Sequence, residues 1–489
     1  MRFFASRRER TDRRAAARPR ALILVENAPV PGDRRVTAEA LSLRANGYDV
    51  TVICPVAGDQ PLREEMDGVL VARYHPHQPP CVSGGAREQV TEYLVALAKT
   101  LRLMVSLARR PGFDVIQACN PPDLFFLVSW PFKLAGKRFI FDQHDLSPEL
   151  YATIFGRDSG PIMRALRWTE ALSYRLADAV IATNESYRRI AETRGRVAPD
   201  RAFVVRNGPR EDWPLPVAPD PSLKRGRPLL VVYMGVMGYQ DGVDRLLDAA
   251  HILIRERGFR DATFALVGEG SAERDLWRQA RELGIEDHVH FTGWVDDEDL
   301  LSRYLVTADA CVCPEPSSPL NDHSTFIKVM EYMASGTPVV AFDLPETRFS
   351  AGDAAVYAAP GDIEGFAARL EEVLTDGGLR AAMQAEAARR MPGLRWESQV
   401  PALLAAYRRA AGHVPADAPL VEAPFFMDPP KDRKGMPQHY APRRRLPFPV
   451  PPVPAPPLPR ELVERAGSLV HTTFSLAGLR PARGRRPAA

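Results

Sequence analysis

Two charged residues, Lys328 and Glu331, interrupt an otherwise apolar stretch of the segment NDHSTFIKVMEYMASGTPVV, residues 321–340. At about 100° per residue in a helix, both side chains fall on one narrow stripe with Ser324 and Ser335, opposite a wide apolar face. A helix exposed to solvent normally has a broad polar face instead. The spacing therefore predicts a helix whose polar stripe faces a small polar ligand. The alternative is a surface ion pair between Lys328 and Glu331.

The chemistry of this segment suits the two ends of a nucleotide diphosphate. Asp322, Ser324 and Thr325 are capping residue types, so backbone N–H groups at this helix start can point at an anion such as pyrophosphate. A carboxylate two turns further along, about 10 Å away, can accept two O–H hydrogen bonds from the vicinal diol of a ribose. The segment therefore predicts that Glu331 binds ribose while Lys328 adds positive charge beside the phosphates.

Short apolar strands alternate with amphipathic helices over two long stretches of the chain. This pattern predicts an α/β fold with two Rossmann-like parallel-sheet domains that face a cleft. The expected units are residues 20–210, a Pro/Gly-rich linker at 211–228, and residues 229–394. A helix near 395–411 could pack back on the first domain. Ligands of such folds bind outside the C-terminal ends of the strands, so the polar loops that follow the strands are the candidate sites.

Composition excludes several classes of protein. The 489 residues carry a formal net charge of only +3, which argues against a nucleic-acid binder. Five cysteines without a C-x-x-C motif favour a reducing compartment over a disulfide framework. We find neither a long apolar run nor a secretory signal, so we expect a cytoplasmic protein. The Arg-rich residues 1–19 and the Pro-rich residues 413–489 are expected to be disordered tails.

Several other loop residues follow predicted strands. His144 comes directly after the strand RFIFDQ, where it could contact a substrate or simply cap a loop. Arg34 follows the first strand and could bind phosphate or lie on a solvated helix start. Glycines at such ends allow a backbone to approach a ligand closely, although a lone glycine pair is a weak signal and a simple turn explains Gly32 equally well. These glycines are Gly32, Gly235, Gly238 and Gly268.

The motif LNDHSTFIKVMEYMASGTPVVAFD resembles the donor-binding signature of the family 4 glycosyltransferases, which are retaining, nucleotide-sugar-dependent enzymes of the GT-B fold. The resemblance extends through VVYMGVMGYQDGVDRLLDAA, LVGEGSAERDLWRQARELGIEDHVHFTGWV, FDQHDLSPE and RNGP, and covers roughly residues 20–411. It implies that Glu331 binds the ribose of the donor and that His144 contacts the transferred sugar or the diphosphate.

This sequence departs from the family pattern in two places. The family usually has a second acid eight residues before the ribose-binding glutamate, and His323 occupies that position. A basic pair that often follows the first strand of the donor domain is replaced by Val236 and Asp241. The pyrophosphate still needs positive charge, for which Lys328, Arg206 and Arg34 are candidates. The resulting catalytic candidates are His144 and His323. The donor-binding candidates are Glu331, Lys328, Ser324, Thr325, Asn321, Gly235, Gly238, Gly268 and Arg206, with Gly32 and Arg34 on the acceptor or phosphate side.

The resemblance implies transfer of a sugar from a nucleotide-diphospho-sugar to a glycan or lipid-linked saccharide, as in cell-envelope or exopolysaccharide synthesis. Two alternatives remain open, namely a nucleotide-sugar epimerase of the same fold and a catalytically inactive nucleotide-sugar-binding scaffold. We predict no metal site and no cofactor. The helix near 88–109 carries basic residues beside an apolar face, which allows peripheral contact with the inner face of a membrane. A helix that covers the core is the alternative.

Overall fold

The computed structural model describes residues 18–57, 59–76, 86–295 and 297–412. The predicted tails therefore lie outside the described residues, apart from residues 18 and 19. The rest forms two α/β domains, each built on its own sheet. Labels below run in chain order, β1–β14 and α1–α14.

The first domain contains an eight-stranded sheet in the order β3-β4-β2-β1-β5-β6-β7-β8. All neighbouring strands are parallel except β3, which pairs antiparallel with β4 at one edge. The strands are Arg20–Leu24, Asp49–Pro55, Arg63–Met66, Val69–Tyr74, Val115–Cys119, Arg138–Gln143, Ala179–Ala182 and Ala202–Val204. The helices α1–α6 are Arg34–Ala45, Ala86–Arg109, Phe126–Leu134, Ser147–Phe155, Pro161–Leu176 and Glu185–Thr193.

The second domain contains a six-stranded parallel sheet in the order β11-β10-β9-β12-β13-β14. Strands β9–β14 are Leu229–Met234, Ala262–Val267, Val289–Gly293, Ala310–Cys313, Val339–Phe342 and Ala355–Ala358. The helices α7–α14 are Val243–His251, Glu273–Glu282, Glu298–Thr307, Ile327–Ala334, Pro345–Ala351, Ile363–Thr375, Gly377–Leu394 and Trp396–Ala411. The strand interiors are almost wholly buried because helices cover both faces of the sheet.

The last helix, α14, returns to the first domain after the chain has completed the second. Its residues Leu403, Ala406 and Tyr407 are fully buried in the core that covers one face of the first sheet. Tyr407 also donates a hydrogen bond from its hydroxyl to Gln117 Oε1 of β5 at 2.7 Å. The first domain is therefore completed by a segment almost two hundred residues after its last strand.

The connection between the domains is packed against the second domain for most of its length. Trp213 is buried in the core of that domain, and Asp220 N donates to Thr307 Oγ1 at 2.8 Å. Lys224 forms an ion pair with Asp309 at 2.8 Å. The Pro/Gly-rich composition of this segment thus reflects an irregular path with specific contacts.

The cysteines and the apolar length of the helices can be examined in the described part of the chain. The four cysteines among the described residues are buried and form no disulfide. In the same part of the chain, no helix combines the length and the apolar character needed to cross a bilayer.

Candidate active site

The helix that carries Glu331 spans Ile327–Ala334. It begins later than the sequence predicts. Its N-cap is Phe326, which makes no side-chain capping bond, so the predicted capping of this helix by Asp322, Ser324 or Thr325 is wrong. Glu331 consequently lies little more than one turn into the helix, closer to its start than expected. Within the described residues, the amide N–H groups of Ile327 and Lys328 have no acceptor. These two donors are available to an anion.

Glu331 points from the second domain toward the first. Its side chain is only 12% exposed, and its Oε1 atom lies 3.4 Å from Nη1 of Arg34, the first residue of α1. Burial raises the pKa of Glu331, while Arg34 and Lys328 oppose that rise. No other hydrogen-bond donor to this carboxylate occurs among the described residues. Glu331 therefore retains unused acceptor capacity at the boundary between the domains.

Lys328 is held inside the second domain by an acidic partner that the sequence did not reveal. Its ammonium group contacts Glu315 Oε1 at 2.5 Å and the hydroxyl of Tyr233 at 3.0 Å. Burial alone lowers the pKa of Lys328, but Glu315 and its other neighbours outweigh burial and raise it well above the ordinary value. Lys328 is thus a firmly charged group, paired with Glu315 rather than with Glu331.

The turn before this helix is bound to the first domain. The side-chain amide of Asn184, the N-cap residue of α6, donates to the carbonyl oxygen of His323 at 2.7 Å and to Thr325 Oγ1 at 3.0 Å. Glu346 accepts bonds from Thr325 and from Arg206, both at 3.4 Å. Arg206 is buried against the ring of Phe349, and burial lowers its pKa. These polar contacts join the two domains beside the candidate donor site.

Asn321 and Ser324 have local partners in this turn. The side-chain amide of Asn321 donates to the carbonyl oxygens of Pro316 and Gln240 at 2.9 and 3.1 Å. Ser324 donates to the carbonyl oxygen of Leu320 at 2.9 Å. Both side chains therefore shape the loop that precedes the helix.

His144 lies at the C-terminal end of β6 and is mostly buried, with 13% of its side chain exposed. Its Nε2 atom is 2.8 Å from Asp142 Oδ2 and 3.1 Å from Arg35 Nε. Burial lowers the pKa of His144, but the Asp142 carboxylate outweighs burial and raises it above the ordinary value. Nε2 donates to Asp142 when it carries a proton and accepts the Nε–H of Arg35 when it does not, so both of its contacts are made with this one ring nitrogen. Nδ1 has no partner among the described residues, so it is the ring nitrogen available to a substrate.

A buried charge network surrounds His144. Arg35 donates from Nη2 to Asp142 at 3.0 Å and lies 3.1 Å from Glu39. Gln117 Nε2 donates to Asp142 and Glu39. Burial raises the pKa of Glu39 to about 8, against the opposing charge of Arg35. Conversely, Arg35 and His144 outweigh burial at Asp142 and lower its pKa.

The same network contains a set of side chains with the chemistry of metal ligands. Glu39, Cys119, Asp142 and His144 offer ligand atoms within 4.8 Å of one another. The guanidinium group of Arg35, however, already contacts both carboxylates and the imidazole. A cation in this position would meet like charge at close range, so the donor set does not fit a metal ion while Arg35 is in place.

The predicted glycines allow loops to approach one another. A Cβ atom on Gly268, which has φ +130°, would lie 2.1 Å from the carbonyl oxygen of Gly235. Gly235 has φ +146°, and a Cβ there would lie 3.1 Å from Lys328 Nζ. Gly238 donates its N–H to Asp241 Oδ2 at 2.9 Å. Gly32 is exposed in a turn. The glycines after β9 and β10 thus pack two loops together next to Lys328.

The structure brings Arg34 of the first domain to Glu331 of the second at the interdomain boundary, with Lys328 on the same helix as Glu331, and it places His144 within a separate buried network. Sequence reasoning missed Glu315 and Asp142 as partners of these residues. Each lies at or just after the end of a buried strand, and a buried carboxylate requires a cationic partner. Their positions therefore indicate that each pairs with a cationic side chain.

Comparison with known families agrees with this architecture. Residues 228–376 match the family model described as Glycosyl transferases group 1. Residues 32–208 match the model described as Glycosyl transferase 4-like domain. The two matches correspond to the two domains and together cover most of the described chain.

Individual relatives belong to the same group of enzymes. The chain is 29% identical over 370 residues to glycogen synthase of Mycobacterium tuberculosis, covering 70% of this chain and 82% of that protein. It is 34% identical over 156 residues to phosphatidyl-myo-inositol mannosyltransferase of Mycolicibacterium smegmatis, covering 32% of this chain and 38% of that protein.

Solved structures share the fold at low sequence identity. Sucrose-phosphate synthase from Thermosynechococcus elongatus has a TM-score of 0.67 and 19% identity, covering 81% of this chain and all of that chain. Anabaena Alr3699/HepE in complex with UDP-glucose has a TM-score of 0.59 and 18% identity, covering 79% of this chain and 98% of that one. The two matched domain models and the shared architecture identify the chain as a member of the family 4 glycosyltransferases, with the GT-B fold.

Proposed function

We propose that this glycosyltransferase moves a sugar from a nucleotide-diphospho-sugar to a glycan or lipid-linked saccharide, with retention at the anomeric carbon. The observation that carries the proposal is the Glu331 carboxylate, which is buried at the domain boundary and has only Arg34 as a partner among the described residues. Such a carboxylate is suited to a vicinal diol, because two O–H groups would satisfy its unused acceptor positions.

The neighbouring groups suit the other parts of the donor. The amide N–H groups of Ile327 and Lys328 would bind the diphosphate, and the Lys328 charge would stabilise the negative charge that develops on the leaving group. Arg34 would shift from Glu331 toward a phosphate when ribose binds. His144 would offer Nδ1 to the transferred sugar or to the acceptor hydroxyl, while Asp142 sets the orientation of its ring. His323 stays a catalytic candidate through its position in the turn.

The relatives support the proposed substrate classes. Alr3699/HepE binds UDP-glucose. Several relatives carry names that refer to cell-envelope glycans, including a lipopolysaccharide core glycosyltransferase of Rhizobium meliloti that is 31% identical over 120 residues, 24% of this chain and 33% of that protein. We therefore propose a role in cell-envelope or extracellular polysaccharide synthesis.

A donor screen tests the proposal. UDP-, ADP- and GDP-sugars are incubated with the protein and a panel of saccharide acceptors, and release of nucleoside diphosphate is measured with and without acceptor. We expect acceptor-dependent release that EDTA does not reduce, since Lys328, Arg34 and the helix amides supply the positive field. Proton NMR of the product reports the anomeric configuration. Interconversion of the donor sugar without acceptor would favour an epimerase, and binding without turnover would favour a scaffold.

The Glu331→Ala variant tests the donor site itself. Loss of two charge-assisted hydrogen bonds, each worth about 1.5–3 kcal/mol, predicts at least a hundredfold weaker donor binding by calorimetry. Glu65→Ala, which removes an exposed carboxylate of β3, is the matched control. Unchanged donor affinity in Glu331→Ala would contradict the assignment.

A further inference from the structure

Large apolar side chains are exposed on three neighbouring helices of the first domain. Among the described residues, thirteen large apolar side chains are exposed, and six of them lie on α2, α3 and α5. These six are Leu94 (60% exposed), Val105 (50%), Leu127 (48%), Trp130 (53%), Leu134 (76%) and Trp168 (63%). Such clustering distinguishes a surface patch from the scattered apolar residues that every protein exposes.

The three helices form one layer. α3 contacts both α2 and α5, and apolar residues of all three pack into the same core on one face of the first sheet. On α3, Leu127, Trp130 and Leu134 recur at the i, i+3, i+7 spacing that places them on one side of a helix. The inward residues Phe126 and Val128 fill the core. α3 therefore has one apolar face buried and a second apolar face exposed.

Positive charge accompanies this apolar surface. Arg164, Arg167 and Arg175 are exposed on α5 around Trp168, and none has an ion-pair partner among the described residues. α3 contains no acidic residue, and Glu170, the one acid of α5, is buried. On α2, Arg102 and Arg109 are also exposed beside Leu94 and Val105. We call these eleven exposed residues the Trp/Arg surface.

We propose that the Trp/Arg surface docks on an anionic lipid bilayer. Tryptophan and leucine side chains insert at the boundary between head groups and acyl chains, while arginines reach anionic head groups. Each arginine near an anionic surface adds attraction of about 1 kcal/mol, so the five act together. Docking through α2, α3 and α5 requires no membrane-spanning helix.

Charge disfavours the other occupants of this surface. A second copy of the chain would place like-charged arginines opposite one another across a two-fold axis. The chain's own residues 413–489 carry twelve Lys or Arg against six Asp or Glu, so that segment has the same sign of charge as the surface. An anionic bilayer is the occupant with complementary charge.

One helix of the Trp/Arg surface follows a loop that contacts His144. α3 follows the loop of Asn120, whose Oδ1 atom accepts the backbone N–H of His144 at 2.6 Å. Docking would therefore anchor the domain that carries His144 at a lipid surface, where a lipid-linked acceptor, the class named in the proposed function, would be presented. Docking itself is measured without turnover, so failure of the proposed donor or acceptor would leave the result unaffected.

Vesicle flotation with the full-length protein tests the proposal. Vesicles of phosphatidylcholine alone are compared with vesicles that contain phosphatidylglycerol at about one anionic lipid in three. We expect strong partitioning only onto the anionic vesicles, and partitioning that falls as salt is raised. The triple variant Trp130→Ser/Leu134→Ser/Trp168→Ser and the triple variant Arg164→Ala/Arg167→Ala/Arg175→Ala should each reduce partitioning on the order of tenfold or more.

Matched controls separate this surface from the rest of the chain. Leu41→Ser/Leu62→Ser removes exposed apolar side chains elsewhere in the first domain, and Arg63→Ala/Arg260→Ala/Arg274→Ala removes the same number of positive charges elsewhere. Both controls should partition as the unmodified protein does. Because all substituted residues are exposed, circular dichroism should show folded variants. Equal partitioning of the Trp/Arg variants and the controls would assign membrane binding to the tails, and either that result or no binding to anionic vesicles would overturn the proposal.

Discussion

Replacement of Asp142 by asparagine isolates the effect of one buried charge on His144. The Asp142→Asn substitution would keep the volume of the side chain and an acceptor oxygen for Arg35 and Gln117, but it would remove the carboxylate that lies 2.8 Å from Nε2 of His144. Burial and the Arg35 charge would then act on the imidazole without opposition from this carboxylate. Both favour the neutral ring, so the pKa of His144 must fall.

The size of the change follows from the contact distance. Two unit charges about 4 Å apart interact by about 4 kcal/mol at an effective dielectric constant near 20, and a carboxylate at this range typically raises the pKa of a partner by about 1–3 units. We therefore expect Asp142→Asn to lower the pKa of His144 by about 1–3 units. If His144 acts in catalysis, the limb of the pH–rate profile that it governs should move by the same amount.

Histidine NMR titration measures the change directly, with His144→Gln used to assign the signal. The Arg35→Gln variant should change the pKa of His144 in the opposite direction, because loss of the Arg35 charge should raise it. Kinetic profiles of both variants, with circular dichroism to confirm folding, complete the comparison. An unchanged or increased pKa in Asp142→Asn would refute the role of Asp142, and shifts of the same sign in both variants would refute the electrostatic explanation.

Three further predictions concern other buried groups. Glu39 has a folded-state pKa of about 8, above its value near 4.5 in the unfolded chain. The contribution of its protonated form to the free energy of unfolding is therefore complete below about pH 4.5 and is lost as pH rises through 8. Glu39→Gln should therefore reduce the loss of unfolding free energy between pH 5 and 8 by about 3 kcal/mol in urea titrations. Lys328→Met should destabilise the protein by about 3–5 kcal/mol, because the buried Glu315 loses its counter-charge. The double variant Lys328→Met/Glu315→Gln should recover the melting temperature without recovering donor binding. Recovery of donor binding as well would show that Lys328 has only a structural role. Gly268→Ala should cost more than about 2 kcal/mol in denaturant melts, since its Cβ would clash with the Gly235 carbonyl oxygen; a cost below about 0.5 kcal/mol, the range of ordinary surface substitutions, would contradict the close approach.

The fold could be predicted from sequence wherever one hydrophobic periodicity, that of a strand or that of a helix, dominated the segment. The strand predicted at RFIFDQ, directly before His144, coincides with the observed strand Arg138–Gln143. The edge strand Arg63–Met66 was missed because its sequence REEM is polar, and an edge strand on the surface needs no apolar pattern. The sequence allows the final helix to return to the first domain but does not establish it, since periodicity identifies an apolar face and not the surface against which that face packs.

The site was less predictable, because side-chain partners depend on tertiary structure. Helical spacing predicts the shared stripe of Lys328 and Glu331. The capping residue types before them, however, predict a helix start that is too early. Residues 321–326 are instead held in a turn by Asn184 from the other domain and by loop carbonyls. The partners Glu315 and Arg34 are distant in sequence from the helix, and no local pattern links them to it.

The position of the final helix has a consequence for how the protein is made. Leu403, Ala406 and Tyr407 complete a face of the first sheet, so this sheet remains partly uncovered while the ribosome synthesises the whole of the second domain. The amino-terminal domain therefore cannot finish folding before its neighbour has been translated, in contrast to proteins whose domains mature one after another. A nascent chain released before residue 396 would display an apolar sheet surface to chaperones, whereas a chain that reaches residue 411 can enclose it.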